Sequence, residues 1–202
     1  MRDAVPDGET MRATPFTRPL MIVGLFGINA ILLIAFAEQI FMHDLPCPLC
    51  LLQRVGYIAA GMGLAMNLRF GARPSHYAII LFGALLGAGI SARQSLLHIA
   101  PGSGTYGGEI LGMHMYVAAF LGFVAIIVCV ACMLLFDAQF LERWSREASE
   151  QEETRSLEGM AWVAVVLFAV VTFGNAISTA LECGAGLCVA NPTSYLLLGS
   201  LH

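Results

Sequence analysis

The sequence contains no lysine, and only 12% of its 202 residues are charged. Soluble domains usually carry charge on about a quarter of their residues, so this chain lacks the surface of a soluble protein. Its ten cationic residues are all arginines. They form no basic patch, and we therefore expect no nucleic-acid partner. Apolar residues take the place of the missing charge: 58% are hydrophobic and the mean hydropathy is +0.77. This composition is typical of an integral membrane protein.

Five long apolar runs account for most of the chain. Each is close to the roughly 20 residues that a membrane-spanning helix needs. The polar segment before the first run lacks the basic start and short apolar core of a cleaved signal, so we expect that run to be a retained helix. We predict an all-α membrane protein with spans at 19–41, 50–70, 76–99, 112–136 and 160–181.

The arginines indicate how the spans are oriented. Eight of them fall on one side of a five-span arrangement, which the positive-inside rule makes the cytoplasmic side. The N-terminus is therefore predicted inside and the C-terminus outside. These eight are Arg2, Arg12, Arg18, Arg69, Arg73, Arg143, Arg146 and Arg155. The predicted divisions are a cytoplasmic segment (1–18), a four-helix domain (19–136), a charged cytoplasmic connector (137–159), a fifth span (160–181) and an outer tail (182–202).

Six cysteines form three closely spaced pairs. Cys129 and Cys132 lie inside the fourth span, away from water and from any charge that favours thiolate, so we interpret them as small apolar residues. The other two pairs are predicted at the outer side, where disulfides persist. They are Cys47 with Cys50 and Cys183 with Cys188.

Three interpretations of the outer cysteines stay open. Four cysteines are enough for a structural zinc site, although the two pairs lie on distant loops. The second reading is that Cys183 and Cys188 form a structural disulfide that staples the tail. A redox role for that pair is the third possibility.

The first outer pair belongs to the motif CPLCLLQR. Pro46 and Pro48 keep the loop from becoming helical too early, which puts Cys50 in the first turn of the second helix. Unpaired N–H groups and the positive end of the helix dipole favour a thiolate there. Arg54 follows four residues later on the same face, and a charge inside a span indicates a functional site. Reaching toward lipid headgroups is the alternative role for Arg54, but it leaves the neighbouring thiols unexplained.

The run from Cys47 to Arg54 resembles the signature of the DsbB family, the bacterial membrane quinone reductases that reoxidise the periplasmic thiol oxidase DsbA. The resemblance covers 19–136 and implies a four-helix bundle in the inner membrane, with ubiquinone or menaquinone near its outer end. It also implies that a disulfide made at Cys47–Cys50 passes through a second cysteine pair to a periplasmic, DsbA-like partner with a thioredoxin fold. No metal is expected.

The same resemblance implies where the quinone binds. In the family, a polar residue closing the third helix and a methionine opening the fourth lie beside the quinone ring. His98 and Met115 stand at these positions here, and His114 precedes the methionine. Together with Arg54 they make the predicted cofactor-binding set. Ordinary packing at the membrane boundary is the alternative for both histidines.

This chain departs from the family in its second cysteine pair. The family's pair lies in the outer loop between helices three and four, but the loop at 100–111 has no cysteine and is too short. The tail emerges on the same outer face, so Cys183 and Cys188 are candidates for the shuttle pair. If the tail cannot reach, the partner would be oxidised directly from Cys47–Cys50.

The expected reaction is thiol–disulfide exchange coupled to quinone reduction. Cys50 as thiolate would react with the quinone, and Arg54 would stabilise the thiolate and the developing oxyanion. Cys47 is expected nearer to water and is therefore the better exchanger. One rival is a haem-binding electron-transfer subunit with His98 and His114 as ligands, which leaves CPLC unexplained. Another is an accessory membrane subunit without disulfide-generating activity.

Overall fold

The computed structural model describes residues 17–41, 45–99, 109–110, 112–136, 151–184, 186, 188 and 195–199. Five helices in this part of the chain are long and apolar enough to cross a membrane, which confirms the predicted all-α membrane fold. They are α1 (Thr17–Phe41), α2 (Pro48–Phe70), α3 (Pro74–Leu97), α4 (Met115–Leu134) and α5 (Gln151–Cys183). The smaller elements are an antiparallel pair, β1 (Glu109–Ile110) and β2 (Met113–His114), and a short helix, α6 (Leu196–Gly199).

The helix starts follow from local sequence. Both α2 and α3 begin at a proline, Pro48 and Pro74. The fixed φ of proline suits the first helical turn, and the N–H group that proline lacks would have no helical acceptor there. Helix α5 begins at Gln151, so the end of the predicted 137–159 connector is helical. Residues 137–150 and most of the predicted N-terminal segment 1–18 lie outside the described residues, and the domain boundaries stay predictions.

Helix α2 lies at the centre of the bundle. It packs on α3, on α1 and, to a lesser extent, on α5, while α4 packs mainly on α3 and α5 mainly on α1. Glycines bring α2 and α3 close together: a Cβ on Gly83 would lie 2.7 Å from the backbone nitrogen of Ala60. In lipid, such small residues drive helix association by letting backbones approach. The tight α2–α3 pair positions the first cysteines at one end.

Helix α5 buries one stripe of side chains at alternating spacings of three and four, the pattern of a single helix face. Phe168 fills the space beside Gly61 of α2. The stripe is apolar in its first part and polar towards the end of the helix, so α5 presents polar groups to the bundle interior there. Its members are Ala161, Ala164, Phe168, Val171, Asn175, Ser178 and Glu182.

Candidate functional site

A disulfide joins Cys47 and Cys50 at the start of α2, with their Cα atoms 5.0 Å apart. Cys47 is the N-cap, and its Sγ accepts the backbone N–H of Cys50 at 3.2 Å. Gln94 of α3 is 1% exposed, and its Nε2 donates to the sulfurs of Cys47 at 3.5 Å and Cys50 at 3.6 Å. Gln53 fixes this amide by donating to its Oε1 at 2.8 Å. Three donor contacts thus reach the two sulfurs and would stabilise negative charge on either of them once the disulfide opens.

The exposure predicted for the two sulfurs is wrong. Cys47, expected nearer to water, is only 6% exposed, whereas Cys50 is half-buried. The cause is the N-cap conformation, which turns Cys47 back onto the first turn of α2 and under Gln94. Leu45 and Pro46, just before it, are buried as well. Cys50 is therefore the more accessible half of the disulfide.

Arg54 points into the bundle and not toward lipid headgroups. It is 9% exposed. Its Nη1 donates to Gln39 Oε1 at 2.9 Å and to Asn175 Oδ1 at 3.1 Å, and its Nη2 donates to the carbonyl of Ala35 at 2.8 Å. Charge-assisted bonds of this kind are strong in a low-dielectric interior. Arg54 thereby ties α2 to α1 and α5. Arg93, the other arginine predicted within a span, is exposed on α3.

Arg54 is the centre of a larger group of polar side chains between α1, α2 and α5. Gln39 donates to Ser178 Oγ at 2.7 Å and to the Tyr195 hydroxyl at 3.2 Å. Glu182 is 3% exposed and interacts electrostatically with Arg54. We call this group the polar cluster; its members are Gln39, Arg54, Asn175, Ser178, Glu182 and Tyr195.

Sequence reasoning missed every member of the polar cluster except Arg54. One signal was available: Asn175, Ser178 and Glu182 follow the three-and-four spacing of one helix face in an otherwise apolar span. The contact between Gln94 and the two sulfurs was also missed. The spacing of Gln94 shows only that it lies near the end of α3, and the direction of its amide depends on the packing against α2.

The predicted quinone-binding residues fall into two groups. The rings of His98 and His114 each stack on Tyr116, with centroids 5.3 Å apart in both pairs. Met115, half-buried, opens α4 beside them. His98 Nδ1 lies 2.8 Å from the carbonyl oxygen of Gln94, which connects this aromatic group to the disulfide. Arg54 instead makes its three hydrogen bonds to α1 and α5, on the other side of α2.

The second outer pair is also joined, as Cys183–Cys188, with a Cα separation of 4.5 Å. Cys183 is the last residue of α5 and is buried, while Cys188 is half-buried. Gly184 follows with φ of 61°, a left-handed conformation that glycine adopts without strain and that turns the chain at a helix end.

The third pair differs from the other two. Cys129 and Cys132 form no disulfide, and both are exposed at the surface of α4. The part of the chain that the structure describes contains no group of three or more His, Cys, Asp or Glu side chains that could hold a metal ion.

Residues 17–106 match the model of a protein family described as disulfide bond formation protein DsbB. This segment belongs to the DsbB family. The match contains α1 to α3 with the CPLC motif, Arg54 and Gln94, and ends before α4. No curated protein and no solved structure matches the chain. The five apolar helices indicate a multi-pass membrane protein, and the matched segment links it to disulfide bond formation. The pair Cys183–Cys188 lies outside the matched segment, so it is an atypical addition.

Proposed function

We propose that this DsbB-family protein generates disulfides by thiol–disulfide exchange coupled to quinone reduction, and passes them to a DsbA-like protein with a thioredoxin fold. The observation that carries the proposal is the disulfide Cys47–Cys50 at the N-terminus of α2, with the Gln94 amide donating to both sulfurs. Opening a disulfide releases one sulfur as thiolate. Because both sulfurs have a donor, either can leave with its charge stabilised.

The residues around Cys50 suit a quinone, which is flat, lipophilic and has two hydrogen-bond-accepting oxygens. When bound, it would supply the oxidising power by taking up two electrons and two protons. His98, His114 and Met115 would hold it, since the stacked imidazole and phenol rings offer a flat surface close to Gln94. Exposed apolar side chains surround this end of the bundle, as a ligand arriving through lipid requires. They include Phe41, Leu52, Leu97, Ile99 and Met113.

Arg54 would act on the disulfide from a position about one turn further along α2. It lies four residues after Cys50, a rise of about 6 Å along the helix. At that distance in a low-dielectric interior its charge favours a thiolate and any negative charge that develops nearby. Its hydrogen bonds to Gln39, Asn175 and Ala35 hold the charge in place before the reaction begins.

We also infer that Cys183–Cys188 is the shuttle pair. Asn29 bonds the Ala164 carbonyl and Gln39 bonds Ser178, so α1 and α5 run parallel. From the Arg54–Asn175 contact, Cys183 lies eight residues further along α5, a rise of about 12 Å. Cys50 lies about 6 Å from that level in the same direction, because α2 runs opposite to α1. The two disulfides therefore occupy the same end of the bundle.

That end is the periplasmic one in our proposal, because the arginine distribution places the N-terminus in the cytoplasm. A DsbA-like partner and the quinone pool of the inner membrane both meet the protein there. Haem held by His98 and His114 would leave the disulfide Cys47–Cys50 without a role.

Purified protein in lipid nanodiscs tests the proposed function. With a reduced thioredoxin-fold protein and ubiquinone or menaquinone, we expect loss of quinone absorbance together with loss of free thiols. Cys47→Ala and Cys50→Ala should each lower this rate by more than about 100-fold, as expected for the reacting nucleophile. The matched control is the Cys129→Ala/Cys132→Ala double variant, which removes a pair with the same C-x-x-C spacing. Its activity should equal that of the parent protein. A Cys47→Ala protein as active as the parent would overturn the proposal.

A further inference from the structure

Glu182 is buried without a hydrogen-bond partner for either carboxylate oxygen among the described residues. It is 3% exposed and lies in the last turn of α5, directly before Cys183, which is 6% exposed. Burying a carboxyl group in a membrane-spanning helix is unfavourable unless its polar atoms are satisfied. A carboxyl group that is buried without hydrogen bonds to stabilise it is a candidate for a catalytic role. The family match ends at residue 106 and assigns it no role.

The charged groups around Glu182 come from three elements. Arg54 on α2 attracts its carboxylate. Glu38 on α1 and Tyr195 just before α6 act on the same guanidinium. The hydrogen bonds that Arg54 donates go to Gln39, Asn175 and Ala35 and not to Glu182. Glu182 therefore has a cation near it that tolerates its negative form, while its oxygens stay free to exchange a proton.

We propose that Glu182 is the acid–base residue for thiol–disulfide exchange at Cys183–Cys188. This inference rests on the proposed function, in which that disulfide is the shuttle pair. Glu182 and the tail pair both lie outside the family-matched segment. The fifth helix would thus bring a disulfide together with the group that handles its protons.

The electron and proton balance is as follows. A thiolate of the partner dithiol attacks Cys188 Sγ, the more accessible sulfur, and a partner–Cys188 bond forms as the Cys183–Cys188 bond breaks. Cys183 leaves as thiolate and takes a proton from the Glu182 carboxylic acid. The partner's second thiol then gives its proton to the Glu182 carboxylate and attacks the partner's own sulfur in the mixed disulfide, which releases Cys188 as thiolate. The partner is oxidised by two electrons, and the tail pair is reduced by two.

The return step uses the same group in reverse. The Cys188 thiolate first takes the proton from the Glu182 carboxylic acid. The Glu182 carboxylate then takes the proton from the Cys183 thiol, and Cys183 attacks the disulfide Cys47–Cys50, so that a mixed disulfide forms and one sulfur of that pair leaves as thiolate. Cys188 gives its proton to that thiolate and closes the tail disulfide again, which breaks the mixed disulfide and releases the second sulfur as thiolate. Cys47 and Cys50 are thereby reduced by two electrons. The oxidant needed to complete the cycle is the quinone of the proposed function.

The test measures exchange at the tail pair without quinone. Full-length protein in nanodiscs is mixed with a reduced thioredoxin-fold protein, quenched with an alkylating agent, and the labelling of Cys183 and Cys188 is followed by mass spectrometry. Glu182→Gln keeps the shape but cannot exchange a proton. We expect it to lower the rate by about 10²- to 10⁴-fold and to flatten its dependence on pH. Glu182→Asp should retain a pH dependence at a reduced rate.

Glu38→Gln is the matched control, because it removes the other carboxylate that acts on Arg54. It should exchange at close to the parent rate. A Glu182→Gln protein with the parent's rate and pH profile would overturn the inference. If Glu182→Gln does not fold, Glu182→Asp decides, and parental rate and profile in that variant would count against Glu182. Loss of quinone reduction in the parent protein would refute the proposed function instead, since tail exchange is scored without quinone.

Discussion

At the scale of single residues, the chemistry at Cys47–Cys50 depends on one amide from another helix. Gln94 is anchored through its Oε1 by Gln53, so its NH₂ group is directed at the two sulfurs. An oriented donor inside a low-dielectric interior stabilises a developing negative charge more than water does, because it needs no reorganisation. We therefore regard Gln94 as a positioning and stabilising residue for the thiolate.

The variant Gln94→Met isolates this contribution. Met matches the side chain in length but donates no hydrogen bond, so the released thiolate loses a donor and Gln53 loses its acceptor. We expect alkylation of the reduced Cys47 and Cys50 at fixed pH to slow by about 10- to 150-fold, the effect of one charged hydrogen bond of about 1.5–3 kcal/mol. The double variant Gln53→Met/Gln94→Met removes both partners and serves as control for the unpaired Gln53. If Gln94→Met reacted as fast as the parent, the amide would have no part in activating the thiols.

The residue types of the site could be predicted from sequence, but their contacts could not. The proline-flanked motif places Cys50 in the first turn of α2, and the structure confirms this position. The exposure of Cys47 depends on its N-cap rotation, and the direction of the Gln94 amide depends on the neighbouring helix. Neither follows from spacing along one chain segment. Both belong to packing, which is a property of pairs of elements.

At the scale of elements, glycines set the distance between α2 and α3. The ideal Cβ of Gly56 would lie 2.9 Å from the Gly87 Cα, and that of Gly83 would lie 2.8 Å from the Ala59 Cβ. These positions recur on one face of each helix, so both backbones approach closely over several turns. The same approach brings Gln94 to the sulfurs. Stability and site geometry therefore share a cause.

Gly83→Ala tests this cause. The added methyl meets the backbone of α2, which cannot move aside as a flexible side chain could, so the two helices must separate. We expect a loss of stability of about 1–3 kcal/mol from overpacking, measured by thermal unfolding in detergent, together with slower thiol oxidation. Gly89→Ala on the same helix is the control, because its Cβ meets nothing within 4 Å. Equal melting temperatures for the two variants would contradict the close-packing account.

Sequence-based spans agree with the helices within a few residues for α1 to α4, since a run of apolar residues directly reports burial in lipid. The predicted fifth span, 160–181, also agrees with the apolar part of α5, Leu157–Cys183. Helix α5 begins at Gln151 and the predicted span at 160, because a charged segment can be helical without being in the membrane. The inward face of α5 was not predicted, although its three-and-four spacing was visible.

At the scale of the whole molecule, the polar cluster joins the family-matched helices to the added fifth one. Arg54 and Gln39 lie within the matched segment, whereas Asn175, Ser178 and Tyr195 do not. A buried arginine that takes one of its three acceptors from α5 makes that helix part of the site and not an appendage. The cluster also fixes the end of α5 on the side of the bundle where Cys47–Cys50 lies.

This arrangement predicts a covalent intermediate between the two cysteine pairs. With Cys50→Ala, Cys47 cannot close its own disulfide, so a mixed disulfide formed at Cys47 is no longer resolved from within the motif. We expect mass spectrometry of protein trapped in cells to find Cys47 linked to Cys183 or Cys188.

Two further variants of this protein make that trapping experiment decisive. Cys50→Ala combined with Cys129→Ala/Cys132→Ala should give the same link, because the exposed pair on α4 takes no part. Cys50→Ala combined with Cys183→Ala/Cys188→Ala should give only an adduct with the soluble partner. If that partner adduct were already the sole product when the tail pair is present, Cys183–Cys188 would be a structural disulfide, and the partner would be oxidised directly by the disulfide Cys47–Cys50. The hydrogen bonds of the polar cluster that hold α5 against α1 and α2 would then contribute to stability alone.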